Sequence, residues 1–181
     1  MTTCVALLRG INIGSRKRIA MADLRALVGD LGYANARTLV NSGNVVFDVD
    51  GDAGNREIEN RIVTALRESQ GLDVPVLVRT GDEMRAIVDR NPFPEMAPTP
   101  KLLHVTFLAN EPEPARVETL QEIEGGDDDV RVIGTEVYLS SPNGLSGSVF
   151  NINGLDRLLG VVTTSRNWNT VSKLAAMATD G

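Results

Sequence analysis

Three short stretches concentrate the residues that can bind or orient charge. The first, Gly10-Ile11-Asn12-Ile13-Gly14-Ser15-Arg16-Lys17, runs on into Arg18. It follows an apolar run and leads toward a helical pattern, the context in which backbone N–H groups cradle phosphates. It lacks the Gly-Lys-Ser/Thr ending of a nucleoside-triphosphate loop and the G-x-G-x-x-G of a dinucleotide loop, so it reads as a generic anion site. The second stretch is Asn41-Ser42-Gly43-Asn44. Its amides can contact a ligand, but turn chemistry alone explains its composition. The third is Arg166-Asn167-Trp168-Asn169-Thr170 with Lys173. A helix is expected to start near Asn167, and helix N-termini attract anions through free N–H groups and the helix dipole. Arg166 just before that end suits a phosphate or carboxylate. The plainer reading is capping by Asn167, Trp168 in the core and Arg166 paired with a carboxylate.

Other residue types carry less. One Cys excludes an intramolecular disulfide framework, and one Cys with one His excludes a Cys/His zinc cluster within the chain. Cys4 reads as a small buried residue and His104 as a satisfied structural histidine. No convincing Ser-His-Asp pattern is present. Asp127-Asp128-Asp129 after two glycines reads as a solvated turn and lacks calcium-loop spacing. No metal and no cofactor is expected.

The chain has 181 residues and a formal net charge of -6, which by itself argues against anionic partners. The distribution reverses that argument locally. Residues 1–40 sum to +4 and residues 41–181 to -10. No apolar run approaches the roughly 20 residues of a membrane helix, and no targeting segment is visible. The expectation is a cytoplasmic protein with no membrane partner.

The elements that must position these residues follow from periodicity. Strands are expected over 3–9, 36–40, 45–49 and 74–79, with helices from Met21 and around Ile58, Ile62 and Leu66. Thr80-Gly81-Asp82-Glu83 fits a capping box before a further short helix. Pro92, Pro94, Pro98 and Pro100 then mark a stiff connector. The second part repeats the order, with strands over 102–109, 130–133, 137–140 and 161–164. Its helices lie around Val117 and Leu120, over 149–159, and after Asn167. The reading is α+β: two βαββαβ halves of the ferredoxin-like plan, each followed by an extra helix. The divisions are 1–90, a connector 91–101, and 102–181. The two sheets are expected to cover each other in part. The first strand has no aromatic residue and the third only Phe47, a poor platform for stacking bases.

Leu7-Leu8-Arg9-Gly10-Ile11-Asn12-Ile13-Gly14, Asn41-Ser42-Gly43-Asn44-Val45-Val46-Phe47, and Thr164-Ser165-Arg166-Asn167-Trp168-Asn169-Thr170-Val171 with Lys173-Leu174 resemble, in sequence and order, the bacterial family of domain of unknown function 1697. The resemblance implies a duplicated ferredoxin-like α+β fold. It implies no reaction and no catalytic position, and residues 101–142 carry no family motif. Together the observations favour a site for an anionic, phosphate-bearing ligand, either a small molecule or a nucleic-acid backbone. Its contacts would be Arg9, Asn12, Arg16, Lys17, Asn41, Asn44, Arg166, Asn167, Asn169 and Lys173. The alternatives are an interaction module whose motifs hold the two halves together, and an enzyme acting on a phosphorylated small molecule.

Overall fold

The structure, a computed structural model, describes residues 1–51, 53–146, 148–150 and 152–179. The chain starts with β1 (Thr2–Leu8), α1 (Met21–Asp30), β2 (Ala34–Thr38), β3 (Asn44–Val49), α2 (Asn55–Gln70), β4 (Val76–Thr80) and α3 (Gly81–Asp89). After a 3-10 turn at Pro94–Met96 come β5 (Leu103–Leu108), α4 (Pro114–Gln121), β6 (Asp129–Ile133), β7 (Glu136–Ser140), α5 (Ile152–Leu159), β8 (Thr163–Asn167) and α6 (Trp168–Thr179). The result is α+β, with two antiparallel four-stranded sheets ordered β2-β3-β1-β4 and β6-β7-β5-β8. Unit 1 comprises 1–88 with 173–181, and unit 2 comprises 89–172, so α6 begins in unit 2 and ends in unit 1.

Local chemistry explains the boundaries. Gly71 ends α2 at φ 64, where its N–H reaches Arg67 O and the N–H of Leu72 reaches Leu66 O. The capping box forms: Thr80 N donates to Glu83 Oε2 (2.6 Å) and Glu83 N to Thr80 Oγ1 (3.2 Å). Two strands sit away from their expected places. β2 lies earlier because Val40 takes φ 48, which breaks the extended run there. β8 lies later, so Arg166 is inside the sheet, opposite Val105, and does not stand beyond the strand end. Apolar periodicity misplaces β8 because its residues, Thr-Thr-Ser-Arg-Asn, are all polar. The expected helix over 149–159 is found as Ile152–Leu159, with residue 151 outside the described residues.

The two sheets repeat their joints although their sequences show no repeat. Leu8 N donates to Gly43 O (2.8 Å), as Leu108 N does to Thr135 O (2.9 Å). Arg9 N donates to Pro75 O and Ala109 N to Val162 O, both at 2.9 Å. Arg79 faces Val5 as Arg166 faces Val105. Each of these buried arginines donates to the carbonyl of its preceding residue, Val78 and Ser165.

Unit 1 packs Cys4, Ala6, Leu8, Val45, Phe47 and Val78 under Leu24, Val28, Ile58 and Ile62 of its helices. Phe47 is fully buried and stacks on Tyr33 with ring centroids 5.0 Å apart, so the one aromatic of β3 is unavailable to a base. The end of α6 is fastened to unit 1. Arg37 Nη2 donates to Met177 O at 3.1 Å, a cation on the negative end of a helix. Gly81 lies so close that an added Cβ would meet Ala178 O at 2.6 Å. In unit 2, Leu108, Val137 and Leu139 pack against Leu120, Leu155 and Leu159. Its start is held by Arg90, which is ion-paired with the buried Glu136.

Candidate functional site

β1 delivers the chain into the loop of residues 9–20, and Asn12 shapes that loop. Asn12 sits at φ 56, a left-handed conformation that Asn tolerates better than most residues. Its N–H donates to Lys17 O (2.6 Å), its Oδ1 accepts from Ile19 N (3.1 Å), and its Nδ2 donates to Ile19 O (3.0 Å) and Asn41 O (2.8 Å). These bonds close the loop neck and tie it to the β2–β3 hairpin. Residues 13–18 lie outside the neck, all exposed, with Ile13 77% accessible. Lys17 Nζ donates to Asp73 O (3.3 Å) and Arg18 Nε to Gly14 O (3.0 Å). Three consecutive cations thus stand on one braced, solvated tip.

The hairpin is built for the same junction. Asn44 is fully buried, and its Nδ2 donates to Leu39 O and Ser42 Oγ, both at 3.0 Å. Gly43 has φ 78, and a Cβ there would lie 2.7 Å from the Ile11 side chain and 2.8 Å from Leu8 Cβ. Only glycine lets the hairpin approach the loop so closely. Arg9, Asn12, Arg16, Lys17, Asn41 and Asn44 therefore share one region of unit 1. Within it the amides of Asn12 and Asn44 are engaged in holding the chain, and Asn41 contributes its carbonyl. The side chains open to solvent are those of Arg16, Lys17, Arg18 and Asn41.

The third stretch is differently disposed. Arg166 is 8% accessible, and its Nη1 donates to Thr164 Oγ1 (2.9 Å) and Ser165 O (2.8 Å). Burial pushes its guanidinium down to about 10, still protonated at neutral pH. Asn167 caps α6, its Oδ1 accepting from Thr170 N at 2.9 Å. Trp168 is buried; Asn169 and Lys173 are exposed. Arg166, Asn167 and Asn169 belong to unit 2 and Lys173 to unit 1.

The family model "Protein of unknown function (DUF1697)" matches residues 1–138. The chain belongs to the DUF1697 family. The match runs through residues 101–138, where no motif is legible, and stops before the Arg166 stretch. No curated protein matches this DUF1697 chain. Among solved structures it is similar to the conserved bacterial protein SP0830 from Streptococcus pneumoniae. The identity is 19%, coverage is 98% of each chain and the TM-score is 0.75. At that identity the likeness concerns the fold.

Other reactive side chains of the DUF1697 chain are placed for structure. Cys4 is buried, and its thiol is pushed up to about 11 by burial, with Glu83 and Asp48 adding to the effect, so it is no thiolate at neutral pH. His104 is half-buried, and burial lowers its pKa. Its Nδ1 finds no hydrogen-bond partner among the described residues, so it departs from the satisfied histidine expected. Asp127 accepts from Asn143 (2.9 Å), and Asp129 starts β6 and pairs with Arg131. Among the described residues no group of three His, Cys, Asp or Glu is placed to hold a metal. None of the helices described is long and apolar enough to cross a membrane.

Sequence reasoning missed Arg79 and Glu59. Glu59 is buried and accepts Val78 N at 2.9 Å. The only signal for either was a charged residue inside an otherwise apolar period, Arg79 in Val-Leu-Val-Arg and Glu59 beside Ile58 and Ile62.

Proposed function

We propose that this DUF1697 member binds a phosphate-bearing anion on the basic tip of unit 1, residues 13–18. The observation that carries the reading is the exposure of Arg16, Lys17 and Arg18 on a loop whose neck Asn12 closes, in a chain of net charge -6. Adjacent cations on a pre-shaped tip complement phosphate, and the acidic remainder discourages indiscriminate binding. Arg9 stands at the root of the tip; of the third stretch, Asn169 and Lys173 are exposed. The scaffold in this reading is the split βαβ, or ferredoxin-like, plan used twice. It is supported by the order second-third-first-fourth strand in both sheets. The reading also places the protein in the cytoplasm.

A thermal-shift titration tests this. Inorganic phosphate, nucleotides and short oligonucleotides are compared on the wild type and on the triple variant Arg16→Ala, Lys17→Ala, Arg18→Ala. A ligand that binds only the native state raises its melting temperature. The expected result is a rise for at least one of these anions that the triple variant loses. No rise across the panel overturns the reading.

One set of observations favours the alternative of an interaction module. The amides of Asn12, Asn44 and Asn167 are all turned inward on the chain's own backbone. In that reading substitutions at these positions lower the melting temperature while no anion raises it.

A further inference from the structure

We infer that the basic tip of one molecule seats in the groove between α1 and α2 of a second copy, and that the exchange is reciprocal. The groove has a volume of about 290 Å³ and opens on the helical side of unit 1. Asp23, Asp30 and Glu68 line it, all exposed, above an apolar floor from Leu27, Leu31 and Ala65. Asp23, Leu27 and Asp30 fall on one face of α1 by their helical spacing, and Leu31 follows at its C-cap. The groove therefore offers three carboxylates around an aliphatic slot.

The same chain displays the complementary chemistry. Ile13 is 77% accessible on the tip, with Arg16, Lys17 and Arg18 after it. The tip of a molecule cannot easily fill its own groove. Asn12 fastens the neck to Ile19 and to Asn41 of the hairpin, and Ile13 is left in solvent. Tip and groove nevertheless lie at one edge of unit 1. α1, which carries Asp23, starts at Met21 where the loop ends, and Lys17 bonds to Asp73 O just past the end of α2. Two adjacent, complementary patches on one edge satisfy a two-fold axis. Each tip then enters the other copy's groove, and the assembly closes as a dimer and does not grow into a filament.

The contact is small, so the dimer is a weak one held largely by charge. It uses the cations of the proposed anion site, and phosphate should compete with it, but it does not depend on that reading. Sedimentation velocity on the full chain tests it. The wild type should show a concentration-dependent monomer–dimer equilibrium at roughly 50 mM salt, with the association constant falling at least about tenfold by roughly 0.5 M. A tip-reversed variant (Arg16→Glu, Lys17→Glu, Arg18→Glu) and a groove-reversed variant (Asp23→Lys, Asp30→Lys, Glu68→Lys) should each sediment as monomers. Mixed in equal amounts, they should restore a dimer, because both contacts are again of opposite sign. All six positions are exposed, so circular dichroism should show both variants folded. A wild type that stays monomeric at every salt and concentration overturns the inference, as do two folded variants that fail to pair. A monomeric wild type that phosphate still stabilises overturns this inference alone and leaves the anion site standing.

Discussion

After β1 the chain of unit 1 runs through residues 9–20 before α1 and carries Arg9, Arg16, Lys17 and Arg18. After β5 the chain of unit 2 uses only residues 109–113 before α4 and carries Glu111 and Glu113. The hairpins at the same ends differ in parallel: residues 39–43 join β2 to β3, and Gly134-Thr135 alone joins β6 to β7. Yet the joints beneath are the same, with Leu8 bonded to Gly43 and Leu108 to Thr135. The fold therefore closes without a long basic loop or a long hairpin. What unit 1 adds is surplus to the architecture, and surplus that is braced and charged is where function is to be sought.

If the brace is specific to unit 1, its glycine should be the least replaceable. Gly43→Val combines a left-handed φ with a clash against Ile11 and Leu8, and should cost about 3 kcal/mol or more. Gly134→Ala, at the matching turn of unit 2, has φ 60 but nothing within 4 Å, and should cost about 1 kcal/mol. Urea unfolding monitored by circular dichroism reads both. Equal losses would show that the two turns carry the same load and break the comparison.

Asn12→Ala comes next. It removes two bonds to Ile19 and one to Asn41 and leaves Ala at φ 56, a loss of about 2 kcal/mol. Hydrogen exchange sharpens this: protection should fall at Ile19 and leave Leu108 in unit 2 unchanged. A fall in both units would mean that the brace serves the whole chain.

Much of this was legible in residues. Apolar periodicity gave the helices because each has a core-facing stripe, and Gly71 and the Thr80–Glu83 box marked their ends. The turn at Asn41–Asn44 was legible because Asn and Gly have few other uses together. What escaped was tertiary. β8 is wholly polar, so nothing in its own residues separates a strand from a loop. Its place in the sheet comes from pairing with β5. The duplication was legible in the repeated order of elements but not as a repeat of residues, because it resides in backbone joints, which any side chain can satisfy. The inward roles of Asn12 and Asn44 escaped because an amide that braces a loop and one that binds a ligand look the same in sequence.

A smaller effect tests another joint the two units share in different chemistry. In unit 1 the second helix offers Glu59 to Val78 N of β4; in unit 2 it offers Asp156 to Thr163 Oγ1 of β8. Burial raises the Glu59 pKa, against the Val78 N–H and nearby Arg56 and Arg79. The folded state then binds more protons than the unfolded state above the usual glutamate range. The contribution of Glu59 is thus fully present below its unfolded pKa and is lost as pH rises through the folded one. Glu59→Gln keeps the acceptor for Val78 and removes the buried charge. It should raise the melting temperature at pH 7 by the equivalent of under about 1 kcal/mol and leave stability unchanged near pH 4. A variant less stable than wild type at pH 7 would mean that the carboxylate's charge is needed at that joint.

The smallest stability effect belongs to the residues offered for function. Arg16 is exposed, and no hydrogen bond or ion pair holds it among the described residues. Arg16→Ala should therefore change stability by less than about 0.5 kcal/mol. The variant should nonetheless weaken the phosphate-induced thermal shift, because a cation on a pre-shaped tip acts on the ligand and not on the fold. In unit 2 the matching loop offers a mirror test. Glu111→Arg with Glu113→Arg puts cations on a loop that has no Asn12-like brace among the described residues, and should create no phosphate response. A response there equal to that of unit 1 would mean that charge alone suffices. The braced neck would then have to be explained by the architecture after all, despite unit 2 closing without one.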